Sequence, residues 1–225
     1  MIEQQITKGR ERVKQVGDNL VWLGCAAVFL TVPLLAQEGI RPTVDIGAGF
    51  TTPIAGAGHA LDNGWNVGVG GGLNFSNYFG VKIDVGYTQF GINGATLSNV
   101  GFPGGNVNIL SATLDPVIHL GAYRHADFYV IGGAGNYRVD QQFTVPTVAT
   151  TVGFSPFFGF YNTAFLTNQV VSESSVNKLG WNGGAGVAFG TKWRGKIFAE
   201  ARFNRIYMGG DRRIDYIPVT FGFRW

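Results

Sequence analysis

The strongest signal in the chain is an alternation of apolar and polar positions with a period of two, which is the period of a β-strand. Over residues 43–50, Val44, Ile46, Ala48 and Phe50 oppose Asp45, Gly47 and Gly49. Over 64–75, Trp65, Val67, Val69, Leu73 and Phe75 oppose Asn66, Gly68, Gly70, Gly72 and Asn74. Over 79–90, Val81, Ile83, Val85 and Tyr87 oppose Lys82, Asp84, Gly86 and Thr88, and over 107–120, Leu110, Ala112, Leu114 and Ile118 oppose Ser111, Thr113, Asp115 and His119. Residues 127–139 alternate less cleanly, with Tyr129, Ile131, Tyr137 and Val139 on an apolar face and Asn136 and Arg138 opposite. Residues 179–189, 196–207 and 215–225 repeat the pattern and bring the predicted strands to eight. Pro116 and Pro218 fall inside two of them. Proline lacks the N–H of a ladder bond, so each predicts a bulge or an edge.

The connections carry a second pattern. Those at 76–78, 121–126 and 190–195 are short, those at 51–63, 91–106, 140–178 and 208–214 are longer, and the two kinds alternate strictly. Alternating strands joined in this way predict an all-β fold, an eight-stranded antiparallel up-and-down transmembrane β-barrel with short periplasmic turns and longer extracellular loops. The faces separate this from a soluble barrel. A soluble barrel needs a charged exterior, whereas here the few strand charges share a face with the glycines and asparagines. The apolar face carries bulky aliphatics with aromatics at strand ends (Phe50, Trp65, Phe75, Phe79, Tyr87, Trp181, Phe189, Tyr207, Trp225), the arrangement of interfacial girdles on a lipid-facing wall. Closure also satisfies every backbone group within the bilayer, which an open sheet cannot do.

Composition agrees and narrows the choice. Of 225 residues, 14% are charged, 45% are hydrophobic, 14% are aromatic and 35 are glycine, with a mean hydropathy of +0.12. A soluble domain carries about 25% charge, so water is the wrong solvent for much of this surface. The aromatic and apolar content excludes a disordered chain, and glycines without a three-residue period exclude a collagen-like one. A formal net charge of +3 with no aromatic-interleaved basic cluster excludes a nucleic-acid partner.

The first 36 residues read as an address. A polar segment with Lys8, Arg10, Arg12 and Lys14 precedes the uncharged run 20–36, which is shorter than the roughly 20 residues that span a bilayer. This is the build of a secretory signal peptide, with cleavage expected after Ala36 and the barrel domain over 37–225. Cys25, the one cysteine, lies within the apolar run, so the exported part contains none and depends on no disulfide.

The chain ends Ile217-Pro218-Val219-Thr220-Phe221-Gly222-Phe223-Arg224-Trp225. A final aromatic preceded by apolar residues at alternate positions, on eight such strands, resembles the small eight-stranded bacterial outer-membrane barrels, the OmpA-transmembrane-domain and OmpW-like group. The resemblance implies residence in the outer membrane, contact with its lipid, and handling by the outer-membrane assembly machinery, with Phe221, Phe223 and Trp225 as the assembly signal.

An eight-stranded barrel is only just wide enough for side chains to fill its interior. Asp45, Lys82, Asp84, Asp115, His119, Arg138, Glu200, Arg202 and Arg224 fall on its predicted inward face. A plug of paired charges is expected there, because buried charge must be paired. Asp45 and Arg224, on the strands that close the barrel, are expected to pair; Lys82, Asp84, Asp115, Glu200 and Arg202 should form a second group nearer the middle. A hydrolase needs a nucleophile, a base and an orienting carboxylate within reach. Ser111 and His119 share a strand but lie about 27 Å apart along it, His59 has only Asp62 near it, and no serine closely follows Tyr123-Arg124-His125-Ala126-Asp127. No catalytic set, cofactor site or metal cluster is predicted. The longest loop holds Phe154, Phe157, Phe158, Phe160, Tyr161 and Phe165. Either the flanking strands extend beyond the membrane and these rings pack together, or they form a surface for an apolar ligand, lipopolysaccharide or another protein. The expected role is non-enzymatic, in envelope structure or surface interaction through the outer loops. A small transporter for apolar compounds is the second expectation, and a lipid-modifying enzyme the third.

Overall fold

A computed structural model describes residues 40–123, 126–190 and 195–225, with backbone alone at 100, 121–123, 149, 155, 162–163, 165–166 and 168. The expected signal segment, Cys25, and the Arg124-His125 pair lie outside the described residues. The elements run β1 (Arg41–Ile54), α1 (Ala55–Gly58), β2 (Gly64–Asn74), β3 (Phe79–Gly91), α2 (Gly94–Val100), β4 (Gly104–Tyr123), β5 (Ala126–Ser155), β6 (Gly159–Gly190), β7 (Lys196–Gly209) and β8 (Arg212–Arg224). Each strand pairs antiparallel with the next, and β1 pairs with β8, so the sheet closes into a barrel of eight strands. Among the described residues no helix is long and apolar enough to cross a membrane.

Neither proline produces a bulge. Pairing between β4 and β5 lapses from Leu114/Ala134 to Val117/Ile131, and between β7 and β8 from Ala201/Val219 to Asn204/Tyr216, with the register kept in both. Each proline therefore interrupts the ladder toward one neighbour only. The register shifts lie elsewhere, at His119/Gly121, Phe143/Thr144 and Tyr207/Gly209.

Alternation sets the wall. Ile46, Phe50, Trp65, Val69, Ile83, Leu114, Ile118, Leu179, Ile197 and Phe221 all point outward and stay exposed, which places an apolar band around the barrel for lipid. The predicted girdle residues lie on this side, with Trp65 against Tyr87 at 5.5 Å between ring centroids and Phe75 against Phe79 at 6.2 Å.

Strand β5 departs from the expected faces. Tyr129, Ile131, Tyr137 and Val139 are buried inside the barrel, and Arg138 points outward with its side chain 52% exposed. The reason is space. Gly186 and Gly180 on β6 have no side chains, and the rings of Tyr129 and Tyr137 occupy the volume a Cβ there would need. Arg138 instead pairs on the outside with Asp140, Nε to Oδ1 at 3.1 Å, and with the Ser175 hydroxyl at 3.0 Å.

Two of the longer connections close the mouth of the barrel. The 51–63 and 91–106 segments are tied together by a Leu61–Ile92 bridge, by the Asn93 amide donating to Asp62 at 3.1 Å, and by the Asn93 N–H donating to the Ala60 carbonyl at 2.9 Å. Helix α2 is capped by the Asn93 side chain, which accepts from the Ala95 N–H at 2.9 Å, and ends on Gly101 at φ 75°. Ala57, Leu61, Ile92 and Leu97 thereby pack onto Phe90, Ile109, Tyr137, Ile206 and Tyr216 as one apolar cluster. The third, 140–178, is no loop: β5 and β6 run on as a paired ribbon to a turn at Ser155–Gly159.

Candidate functional site

The lumen is filled in three layers. Below the apolar cluster lies a network of ion pairs drawn from five strands. Asp45 of β1 and Arg224 of β8 are cross-strand partners and meet at 3.2 Å, Oδ2 to Nε. Lys82 Nζ donates to Asp45 Oδ1 at 2.9 Å and to Asp84 Oδ1 at 2.8 Å, so the two groups expected from the sequence are one network. Arg202 binds three carboxylates: Asp84 through Nη2 at 2.7 Å, Asp115 through Nη1 at 2.8 Å and Glu200 through Nε at 2.5 Å. Its planar fork reaches all three at once, each through a different nitrogen.

Neutral groups complete the network. The Tyr129 hydroxyl donates to Glu200 Oε2 at 2.8 Å and accepts from Arg224 Nη2 at 3.2 Å, while the Arg224 guanidinium lies 4.7 Å from the tyrosine ring centroid. Asp115 also accepts from the Thr113 hydroxyl and the Asn182 amide, both at 2.8 Å. Each carboxylate thus has a charged partner, as burial at these depths requires. Four acids (Asp45, Asp84, Asp115, Glu200) face three bases (Lys82, Arg202, Arg224) because Arg138 stands outside. A small cavity of about 90 Å³ remains beside the network, lined in part by Asn66, Ser111, Asn182 and Phe198.

His119 is set apart, in the third layer at the turn end. Its Nδ1 lies 2.9 Å from Asp127 Oδ1 and its Nε2 3.3 Å from Asn74 Oδ1, and Lys196 Nζ holds the other Asp127 oxygen at 2.9 Å. These groups line an open vestibule of about 340 Å³ together with Arg41, Thr43 and Trp225. Among the described residues no hydroxyl or thiol hydrogen-bonds to His119, and Ser111 donates instead to the Gly86 carbonyl at 3.2 Å. Among the described residues no three potential ligands converge on a metal-sized site. The arrangement can hold a barrel shut.

Sequence reasoning missed Tyr129, Tyr137, Asp127 and Lys196. The tyrosines looked lipid-facing by their apolarity, and the signal that would have placed them inside was the pair of glycines opposite. Asp127 and Lys196 sit at strand starts, where single charges attract no notice.

The other candidate surface is the ribbon. Phe154 and Phe160 pair across it with ring centroids 5.1 Å apart. They are 63% and 79% exposed, and Phe157 and Phe158 at the turn are 90% and 86% exposed. Tyr161 is exposed as well, while the Phe165 side chain lies outside the described residues. At the chain end, Phe221 and Trp225 are exposed on the outer wall, and the Phe223 and Trp225 rings lie 4.7 Å apart. Trp225 is fixed to β1 by paired backbone bonds with Val44 at 2.8 and 3.1 Å.

No protein-family model and no curated protein sequence matches the chain. Solved structures do. Neisserial surface protein A aligns over 83% of this chain and 98% of its own, at 14% identity with a TM-score of 0.54. Ail, the attachment invasion locus protein of Yersinia pestis, solved with the heparin analogue sucrose octasulfate, aligns over 82% and 99% at 19% identity with a TM-score of 0.46. A major outer membrane protein of Thermus thermophilus aligns over 83% and 98% at 12% identity with a TM-score of 0.46. The closed ring of eight antiparallel strands, the apolar outer band and the likeness to the Neisserial protein together give this chain the fold of the small eight-stranded outer-membrane β-barrels.

Proposed function

We propose that this protein is a non-enzymatic barrel of the bacterial outer membrane that acts through the hairpin it holds above the surface. Cleavage after Ala36 would release the barrel domain, and Phe221, Phe223 and Trp225 would serve the assembly machinery as its C-terminal signal. One observation carries the functional reading: the two longest strands leave the barrel as an uncharged ribbon tipped with exposed phenylalanines. A packed lumen suits a pedestal. The ion-pair network and the apolar cluster above it resist bending, so the ribbon is presented on a stiff base.

Deleting 145–169 and joining Thr144 to Val170, which are cross-strand partners, through an Asn-Gly turn tests this, since such a turn closes a hairpin without strain. Cells displaying the shortened barrel are expected to lose attachment to apolar surfaces while keeping the barrel folded. Attachment equal to that of the parent would overturn the reading. The apolar-transport reading is weaker, because the mouth is occupied by Phe90, Leu97, Ile109 and Tyr216. Planar-bilayer recordings are expected to give no steady conductance.

A further inference from the structure

We propose that the hairpin tip inserts shallowly into the acyl region of a second lipid bilayer, distinct from the one the barrel spans. This rests on the reading of the ribbon as the working surface and names what it touches.

The geometry gives the reach. Pairing to β4 ends at Gly104–Thr144, and β6 meets β7 only from Gly180. Residues 145–155 therefore rise with β6 as their one partner, on the order of 35 Å at strand rise. That length carries the tip clear of the barrel rim and of the membrane around it.

The chemistry gives the target. Between Asp140 and Glu173 there is no Asp, Glu, Lys, Arg or His. A water-exposed stretch of that length would carry about eight charges at the usual quarter share. The apolar side chains are not scattered either. Val148 and Val152 are exposed at alternate positions leading to Phe154. Those even-numbered positions lie on the side of β5 that faces outward in the barrel at Phe128, and they turn apolar again above the polar stretch that holds Arg138, Asp140 and Gln142. A two-stranded ribbon has no interior to take these groups in.

The tip is also shaped in advance. Pro156 fixes its own φ, and Gly159 turns the chain back at φ 76°, a conformation that favours glycine. Phe157 and Phe158 stand between them with most of their surface exposed. A protein interface rims its apolar core with polar and charged groups that steer and orient the partner, and this stretch has no charge with which to do so. Hydrocarbon needs no such complement. Tyr161 beside the rings has the amphipathic character of residues at a membrane boundary. Depth is limited by the backbone, because the free ribbon edges carry N–H and C=O groups that cannot enter hydrocarbon. Only the turn goes in.

The test uses the full chain in phosphatidylcholine nanodiscs mixed with separate phosphatidylcholine vesicles, read by flotation. The parent protein is expected to float with the vesicles, and F157S/F158S to lose at least tenfold of the bound fraction while keeping the parent's electrophoretic mobility before heating. In a Phe158→Trp variant, emission is expected to shift to the blue on vesicle addition and to be quenched by bromines near the headgroup end of the acyl chains. Absence of flotation by the parent, or equal flotation by the serine variant, overturns the proposal. So does vesicle-independent association between nanodiscs that needs residues 145–169, which would mean the ribbon edge pairs with a second copy. If the parent does not float yet deletion of 145–169 abolishes cell attachment, the inference falls and the surface-interaction reading stands. If flotation depends on the rings but attachment survives the deletion, that reading falls instead.

Discussion

Tyr129 is the cross-strand partner of Gly186, and its ring and hydroxyl occupy the space in which any side chain at that glycine would begin. The tyrosine then lies over Gly186 to reach Glu200, the glycine's partner on β7, and Arg224 on β8. A missing side chain on β6 thus makes room for the residue that ties β5 into the network. Gly186→Ala is expected to displace the ring and to destabilise the barrel by about 1–3 kcal/mol, the usual penalty for overpacking. Urea unfolding from lipid vesicles measures it; a midpoint unchanged from the parent would contradict the packing described.

Arg202 is the residue on which most of the buried charge depends. Replacing it with Met leaves Asp84, Asp115 and Glu200 without their shared cation. Removal of one partner from a buried pair costs about 3–5 kcal/mol, and this one has three partners. Arg202→Met is expected to unfold at a markedly lower urea concentration than the parent, with Arg202→Lys between the two.

Asp115 is the most dispensable of the network's carboxylates. With four acids against three bases, Asp115→Asn evens the count, and its one remaining oxygen still accepts from Thr113 and Arg202, which share one oxygen of Asp115, while the Asn182 amide can turn its own oxygen toward the new N–H. We expect a smaller loss of stability than from Asp84→Asn, which takes a carboxylate from both Lys82 and Arg202. The two unfolding midpoints, measured side by side, decide this; the reverse order would mean that the charge count does not govern the plug.

Arg138 offers a test of which way β5 faces. On the outer wall and itself half exposed, Arg138→Ala should change stability by no more than about 0.5 kcal/mol, whereas Arg224→Ala, which strips Asp45 and Tyr129 of a buried partner, should cost several times that. Comparable losses from the two would return Arg138 to the lumen.

The apolar cap makes its own prediction. Phe90 is fully buried and packs edge-on against Tyr216 at 5.5 Å. Truncating it to Ala should cost about 3–5 kcal/mol, the range for a buried aromatic. A loss below 1 kcal/mol would mean that the mouth is loosely filled.

Seven of the eight strands have the inward and outward faces their alternation predicts, because lipid on one side and a narrow lumen on the other impose opposite demands at every second residue. Strand β5 does not follow, since the interior of so small a barrel accepts bulky apolar rings as readily as charges wherever the facing wall is glycine. Of the predicted lumen charges, Asp45, Lys82, Asp84, Asp115, Glu200, Arg202 and Arg224 join one network, His119 lies apart with Asp127, and Arg138 lies outside.

The sequence by itself determined the strand count, the alternation of short and long connections and the apolar outer band, because each is written in local periodicity and in where it stops. Only the tertiary structure decided which carboxylate meets which guanidinium, that Tyr129 and Tyr137 fill the space left by glycines, that two loops fold over the mouth, and that 140–178 rises as a ribbon. These are matters of shear, reach and free volume across the closed barrel, which no single strand encodes.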